Sequence, residues 1–496
     1  MTARHQVLRR RAVSVLLLIS SAMTGAAQAE TLQGALAKAY RSNPTLTGAR
    51  AGQRATDESV PIQKASGRPG LDVTGTYSES LQRPTISFTS PQRTLDANAQ
   101  LRVPIYAGGA VRNGVKAAKT RVSAGQADLR GTEATVFSRV VAAYMDVIRD
   151  SSVVALNQAN VKALEVNLQA TSDRFEVGDV TRTDVAQSES RLALARSSLQ
   201  TAEANLITSR ENYISLVGEA PDDLQPPPAL PGLPASPDMA VQVALKDNPD
   251  IQAAAKAREA AGYDVKVAKA GALPTLNAFT QAGYTNYLHS LNSAAQDAQG
   301  NIVEGPQINK QAAAGLQLTL PFYQGGRPGA QVRQRQALES QAMEQEIEVE
   351  RGVIAQTRSA YASWQASLES IQSNQKAVDA ANLSLEGVRA ENSVGSRTIL
   401  DILNAEQEAV NAKVQLVTAR RNAYVAGFSL LAAMGHAEAD DLNLEAGALY
   451  DPMVNYDRVK GKWFDWGFDP APKVQSTRTV DSPAQNANVD PALAQP

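Results

Sequence analysis

Val103-Pro104-Ile105-Tyr106-Ala107-Gly108-Gly109 returns far downstream as Leu320-Pro321-Phe322-Tyr323-Gln324-Gly325-Gly326. Other landmarks repeat in the same order. Asn43-Pro44 recurs as Asn248-Pro249, Pro69 as Pro274, and Gly218 as Gly435. Val177-Gly178-Asp179-Val180-Thr181-Arg182-Thr183-Asp184 recurs as Val394-Gly395-Ser396-Arg397-Thr398-Ile399-Leu400-Asp401. The spacing lengthens by about 12 residues between Pro274 and Pro321, which places an insertion there. A repeat this long is a duplicated structural unit.

Upstream of each Gly-Gly pair lie two segments whose apolar residues recur every second position. Leu71, Val73, Gly75 and Tyr77 alternate with Asp72, Thr74, Thr76 and Ser78, while Leu95, Ala97, Ala99, Leu101 and Val103 alternate with Asp96, Asn98, Gln100 and Arg102. In the second copy Leu276, Ala278, Ala282 and Tyr284 oppose Asn277, Gln281 and Thr285, with Phe279 breaking the pattern. Its partner sets Ala312, Ala314, Leu316, Leu318 and Leu320 against Gln311, Gly315, Gln317 and Thr319. Each segment is about ten residues long, enough for a tilted strand to cross a bilayer. One apolar and one polar face suits a barrel with lipid outside and water inside. A half-buried strand of a soluble sheet alternates in the same way, so one segment alone leaves both readings open. Four strands cannot close a water-filled barrel, so the membrane reading requires several chains to share one.

Downstream of each Gly-Gly pair the chain is nearly free of helix breakers from Val111 to Glu176 and from Arg333 to Asn392. Apolar residues there recur at spacings of three and four, as in Phe137, Val141, Tyr144 and Ile148, or Tyr361, Trp364, Leu368 and Ile371. Such spacing predicts two helices of about 100 Å at 1.5 Å per residue, too long for one globular core. Gly178 and Gly395 end them in the left-handed cap conformation, and returning helices run back to Gly218 and Gly435. Helical patterns over Leu32 to about Ser66 and Met239 to about Ala270 open the two units.

The expected organisation is an export signal over residues 1–29, a first repeat over 30–220 (strand pair 70–104), and a proline-rich linker over 221–238. A second repeat follows over 239–436 (strand pair 275–321), then a tail over 437–496. Arg9-Arg10-Arg11, the apolar run Ala12 to Ile19 and Ala27-Gln28-Ala29 form the n-region, core and cleavage site of a signal peptide; an N-terminal membrane anchor is the alternative. The tail ends in a Pro/Ala/Asn/Gln-rich run from Pro470 to Pro496, expected to be disordered. The chain has no cysteine, three scattered histidines and a formal charge of −2, which argue against thiolate chemistry, a histidine metal cluster and nucleic-acid binding. No phosphate loop, dinucleotide fingerprint or nucleophile elbow occurs, so neither a cofactor nor an enzymatic activity is expected.

These elements resemble the TolC family of outer-membrane efflux and secretion channels over residues 31–436. The Pro-Ile/Phe-Tyr-x-Gly-Gly junctions (Pro104, Gly108, Gly109; Pro321, Gly325, Gly326) and the Val-Gly-x-x-Thr-x-x-Asp turns carry the resemblance. It implies a mixed α/β membrane protein: a homotrimeric twelve-stranded β-barrel in outer-membrane lipid, four strands per chain, continued by a periplasmic α-helical coiled-coil tube. It also implies a periplasmic adaptor (membrane fusion) protein and an inner-membrane ABC or RND pump as partners. By position, Arg397 would meet Thr183 and Asp184 across hairpins to shut the periplasmic tip, and Asp401 would form a ring of three carboxylates. The sequence departs from the best-known member at Asn404, where a further carboxylate would stand, and at Asn392, where a constriction tyrosine would. Ordinary N-capping is the competing role for Asp184. The segment Asn455 to Trp463 is similar to alphaproteobacterial members linked to type I secretion. A periplasmic coiled-coil adaptor or scaffold is the alternative function, although an adaptor would have one hairpin rather than two alternating with strand pairs.

Overall fold

The computed structural model describes residues 30–82, 91–291, 294–296, 299–444 and 449–494; the export signal expected over 1–29 lies outside them. The chain opens with helices α1 (Leu32–Ser42), α2 (Pro44–Asp57) and α3 (Ser59–Ala65), then strands β1 (Gly70–Glu79) and β2 (Arg93–Ala107). Helices α4 (Ala110–Glu176) and α5 (Arg182–Val217) follow. The order then repeats as α6 (Pro237–Asp247), α7 (Pro249–Ala270), β3 (Thr275–Asn286), a small hairpin of β4 (Ala294–Gln296) and β5 (Ile302–Glu304), and β6 (Ile308–Thr319). Helices α8 (Arg327–Ser393) and α9 (Ile399–Met434) complete the second copy, and α10 (Pro452–Val459) lies in the tail. The small hairpin sits within the insertion inferred from the repeat spacing.

The opening helical stretches are not continuous. They break at Asn43 and Asn248, each of which precedes a proline that forces it out of helical geometry, with ψ 125° in both. Each asparagine turns the break into a cap. The Asn43 Oδ1 accepts from the Thr45 amide at 2.9 Å, and the Asn248 Oδ1 from the Asp250 amide at 2.9 Å. Their Nδ2 groups donate to the carbonyls of Leu216 and Ala433 at 2.8 and 2.9 Å, pinning both breaks to the ends of returning helices α5 and α9.

The four long strands form one antiparallel sheet in the order β1-β2-β3-β6. Its register puts Val73 beside Ala99, Ala99 beside Ala282, and Ala282 beside Ala312, so the apolar sets of all four strands share one face. Asp72, Gln100, Gln281 and Ala313 are likewise aligned across the other face, with Asp96 accepting from the Thr285 hydroxyl at 2.7 Å. The same register accounts for Phe279. It lies on the polar face opposite Gly315, where a Cβ would stand only 3.1 Å from the Phe279 ring. Among the described residues, strands β1 and β6 each have a neighbour on one side only.

Helices α4 and α8 are both 67 residues long, yet α4 buries 26 of them and α8 only four. Within the chain α4 is covered by elements of both repeats, whereas α8 lacks one flank. The main core lies midway along α4, where Phe137, Tyr144, Tyr213, Leu206 and Phe428 are fully buried. Buried Tyr144 donates to the Glu30 and Gln225 carbonyls at 2.8 and 2.6 Å, tying the start of the described chain and the proline-rich stretch to that core. Glycine leaves room for a side chain between helices: a Cβ on Gly125 of α4 would stand 2.3 Å from the buried Gln53 side chain of α2.

The tail differs from the disorder its composition suggests. Ser476 exchanges a hydroxyl hydrogen bond with Thr47 at 2.8 Å, Arg210 donates to the Asn488 carbonyl at 2.9 Å, and Val489 packs on the core. Higher up, the Ala439 amide donates to the mostly buried Glu133 at 2.6 Å. Burial pushes that carboxyl up to about 7, with the Ala439 hydrogen bond opposing it and Glu438 adding to it. A raised carboxyl pKa means the folded state holds the proton more tightly, so stability falls as pH climbs from the ordinary carboxylate range to about 7. The Glu133→Gln protein, which keeps an acceptor for Ala439, should therefore unfold at a higher temperature than wild type at pH 8. The two should converge at pH 4.5, as followed by circular dichroism.

Candidate functional site at the hairpin tips

α4 with α5, and α8 with α9, form two antiparallel hairpins whose turns lie about 100 Å from the strand junctions at 1.5 Å per residue. Each turn is built in the same way. Gly178 and Gly395 adopt φ of 81° and 80°, which glycine enters without the steric cost of a Cβ. The next amides, Asp179 and Ser396, reach back to the Arg174 and Glu391 carbonyls at 2.8 and 3.0 Å, which satisfies the last turn of each long helix.

The returning helices start on reciprocal caps. The Thr181 amide and hydroxyl both donate to Asp184 Oδ2, at 2.9 and 2.7 Å, while the Asp184 amide donates to the Thr181 hydroxyl at 3.3 Å. Thr398 and Asp401 reproduce this arrangement at the same distances, 2.9, 2.7 and 3.3 Å. These hydrogen bonds, from the threonine hydroxyl first and its amide second, hold both carboxyls below their usual range. A lowered carboxyl pKa stabilises the folded tip at all pH above the ordinary value, and that contribution is lost only as pH falls through the lowered one.

Within one chain the expected gate residues do not all meet. Arg397 pairs with Glu391 of its own hairpin at 2.7 Å, and its carbonyl accepts from Asn392 at 2.7 Å. Thr183 is exposed on the first turn of α5, and Asp184 and Asp401 serve as cap partners. At the tip the hairpins are linked through one candidate, Asn404, whose Oδ1 accepts from Arg191 at 2.6 Å; farther from the tip Arg421 of α9 pairs with Asp146 of α4 at 2.8 Å. Ile399 and Leu403 pack onto Val161, Leu164, Leu192 and Ala195, so the second hairpin leans on the first. The capping threonines were readable in advance from Thr-x-x-Asp, the capping-box spacing. Arg191 and Asn404 lie 213 residues apart, and no local pattern connects them.

At the opposite end Gly109 and Gly326 cap α4 and α8 with φ of 84° and 80°. Pro104 sits at a bulge in β2 that shifts the register against β3, and Pro321 lies just past the end of β6. A Cβ on Gly108 would stand 2.8 Å from the Ala270 carbonyl, while its repeat partner Gly325 has nothing within 4 Å. As with α8, the second copy lacks the neighbour that the first copy finds inside the chain. Among the described residues no His/Cys/Asp/Glu group could hold a metal ion, and no helix is long and apolar enough to cross a membrane.

A bilayer-length sheet with two free edges above two capped hairpins of this length is one sector of a barrel-and-tube channel. The outer membrane efflux protein family matches residues 35–219 and 240–436, one segment for each repeat. The chain belongs to that family. It is 37% identical to the outer membrane efflux protein BepC of Brucella suis, covering 91% of this chain and 95% of that protein. It is 28% identical to the outer membrane protein TolC of Escherichia coli, over 94% and 97% of the two chains. The crystal structure of the Campylobacter jejuni CmeC outer membrane channel superposes with a TM-score of 0.70 at 17% identity, over 87% and 89% of the two chains. The protein is an outer-membrane channel whose twelve-stranded barrel is completed by three chains.

Asp401→Ala removes the carboxylate half of the capping box at α9 and leaves the Thr398 hydroxyl on the residue-401 amide, whereas Asp401→Asn removes the charge and keeps an acceptor for Thr398. Amide exchange in the first turn of α9 should therefore accelerate roughly twofold to tenfold in the alanine protein, as for a lost hydrogen bond, and markedly less in the asparagine protein. Equal acceleration in both would show that charge rather than capping orders the tip.

Proposed function

We propose that the trimer is a passive exit duct for efflux or type I secretion, shut at its periplasmic tip and opened there by an adaptor and an inner-membrane pump. The single observation that carries the duct is the incompleteness of one chain. Two unpaired sheet edges, the uncovered flank of α8 and the open space at Gly325 all lie where a second copy would stand. Closure by repetition leaves a lumen lined by the polar sheet face around Asp72, Asp96 and Gln281. Such a conduit performs no chemistry on its cargo, and energy comes from the partners.

The tip acts as the gate. In the assembled trimer Arg397 exchanges Glu391 for Thr183 and Asp184 of an adjoining hairpin, and the Asp401 carboxylates face the axis. Both Arg397 and Glu391 are about half exposed, 49% and 52%, so water screens their pair and it exchanges readily. Asp184 spends Oδ2 on its cap and keeps Oδ1 for a new partner. A latch of several such weak links suits an opening driven by binding, because a partner need only compete with screened contacts. Charge at the constriction favours cations.

Purified trimer in planar bilayers tests this. Arg397→Ala combined with Asp184→Asn, which spares the cap, should raise single-channel conductance several-fold, and Asp401→Asn should lower cation selectivity. Unchanged conductance in a well-assembled double variant would remove the latch. Recovery of the native protein in a detergent-free soluble extract would remove the channel.

A further inference from the structure

Just beyond α10 the tail reads Lys462-Trp463-Phe464-Asp465-Trp466-Gly467-Phe468-Asp469. Its four aromatic side chains are 58%, 83%, 86% and 83% exposed. So many open rings in one short loop mark a surface that something other than water meets. The loop is tightly held. Arg458 donates to both Asp469 oxygens at 2.7 and 2.8 Å and closes it at the base. Arg68 donates to the Lys462 carbonyl at 2.7 Å, with its guanidinium 4.4 Å from the Trp463 ring centroid, and Lys64 donates to the Lys460 carbonyl at 2.6 Å. α10 is tied down in turn by Asn455, which donates to Asp57 at 2.7 Å.

The height of the loop follows from its anchors. α3 runs antiparallel along the first turns of α4: a Cβ on Gly114 would meet Gln63, and one on Gly67 would meet Val111. Arg68 therefore lies level with the start of α4 and two residues before β1, where tube becomes barrel. The apolar rim of the sheet at this level carries Tyr106 and Leu276, which are register partners. The rest of the tail runs down the bundle, to Thr47 through Ser476 and to Arg210 through Asn488. Among the described residues of the tail, α10 and the aromatic loop lie at the membrane end. Acids and bases mix around it: Asp457 pairs with Lys460 at 2.6 Å and Asp469 with Arg458, while Lys64, Arg68 and Lys119 form the cationic side of the loop's base. After burial, their mutual repulsion is what pushes the Lys64 ammonium below its ordinary value.

We propose that the Trp463–Phe468 loop is an interfacial anchor that seats in the phospholipid leaflet facing the periplasm, with its rings at the headgroup–acyl boundary and its basic neighbours on lipid phosphates. Tryptophan rings are favoured at that depth because one edge stays polar while the body is apolar. Clustered lysine and arginine beside them add attraction to anionic headgroups. The barrel alone holds the channel in the bilayer. The loop fixes how deep the tube sits and stops it tilting, through three symmetric contacts spread around the barrel rim. The inference rests on the barrel's place in the outer membrane and is independent of cargo, pump and gate.

The test uses tryptophan emission from the full-length trimer in vesicles of phosphatidylethanolamine and phosphatidylglycerol. The chain has three tryptophans, so Trp364→Phe leaves only Trp463 and Trp466. Should that variant fail to assemble, the difference between wild type and Trp463→Phe/Trp466→Phe reports the same signal. Flotation with the vesicles reports barrel insertion separately. In floated protein, lipid brominated near the headgroup should quench the loop at least about twofold more than lipid brominated near the chain terminus. Phe464→Ser/Phe468→Ser should weaken that quenching. The proposal is overturned if floated protein is quenched by aqueous acrylamide and by neither lipid, which leaves the loop in water. Shielding from lipid and acrylamide alike would place it against a neighbouring chain, and overturns it too.

Discussion

Backbone amides and carbonyls inside hydrocarbon have no water to turn to, so a sheet that crosses a bilayer must pair every edge. This chain supplies four such strands and leaves β1 and β6 with one free edge each. Pairing β1 with β6 inside the chain would remove both edges, but four strands are too few to curve into a closed water-filled barrel. The need for further copies is therefore set by hydrogen bonding, and the rest of the architecture complies with it. α8 buries four residues where α4 buries 26, and Gly325 meets nothing where Gly108 meets Ala270. The uncovered flank of α8 and the open space at Gly325 lie beside β6, and β1 leaves the sheet open on its other side.

The tip follows a different logic. Its backbone is fixed by glycines in left-handed conformation and by two matched capping boxes, which position the turns without stiff side-chain locks. The charged groups around them are exposed, and their pairs are local. Such a surface can change partners when neighbouring hairpins close in or are pulled apart, while its helices keep their ends. In the proposed gate, order comes from the caps and bistability from the screened ion pairs.

The tail runs from the membrane end to the core midway along α4. A stretch with few large apolar residues cannot fold alone, yet it can be ordered by a groove that already exists. Arg210 and Thr47 supply that groove with donors and acceptors, and Val489 supplies a small apolar foothold. Arg68 and Arg458 do the same for the aromatic loop at the top.

Repeat spacing, period-two strands and breaker-free helices were legible because each is a local or periodic property of the chain. They pointed to the architecture and to turns at Gly178 and Gly395, while capping stood only as the competing role for Asp184. Other features depended on residues far apart in sequence. The kinks at Asn43 and Asn248 are seated by carbonyls of returning helices, and Phe279 is excused by Gly315 on another strand. Arg191 finds Asn404 only because Ile399 and Leu403 lean the second hairpin on the first, and the tail is ordered by helices hundreds of residues upstream. Periodicity states which face of an element is apolar, but it does not state which distant face will cover it. That choice is made by packing, and packing is a property of the folded chain and its copies.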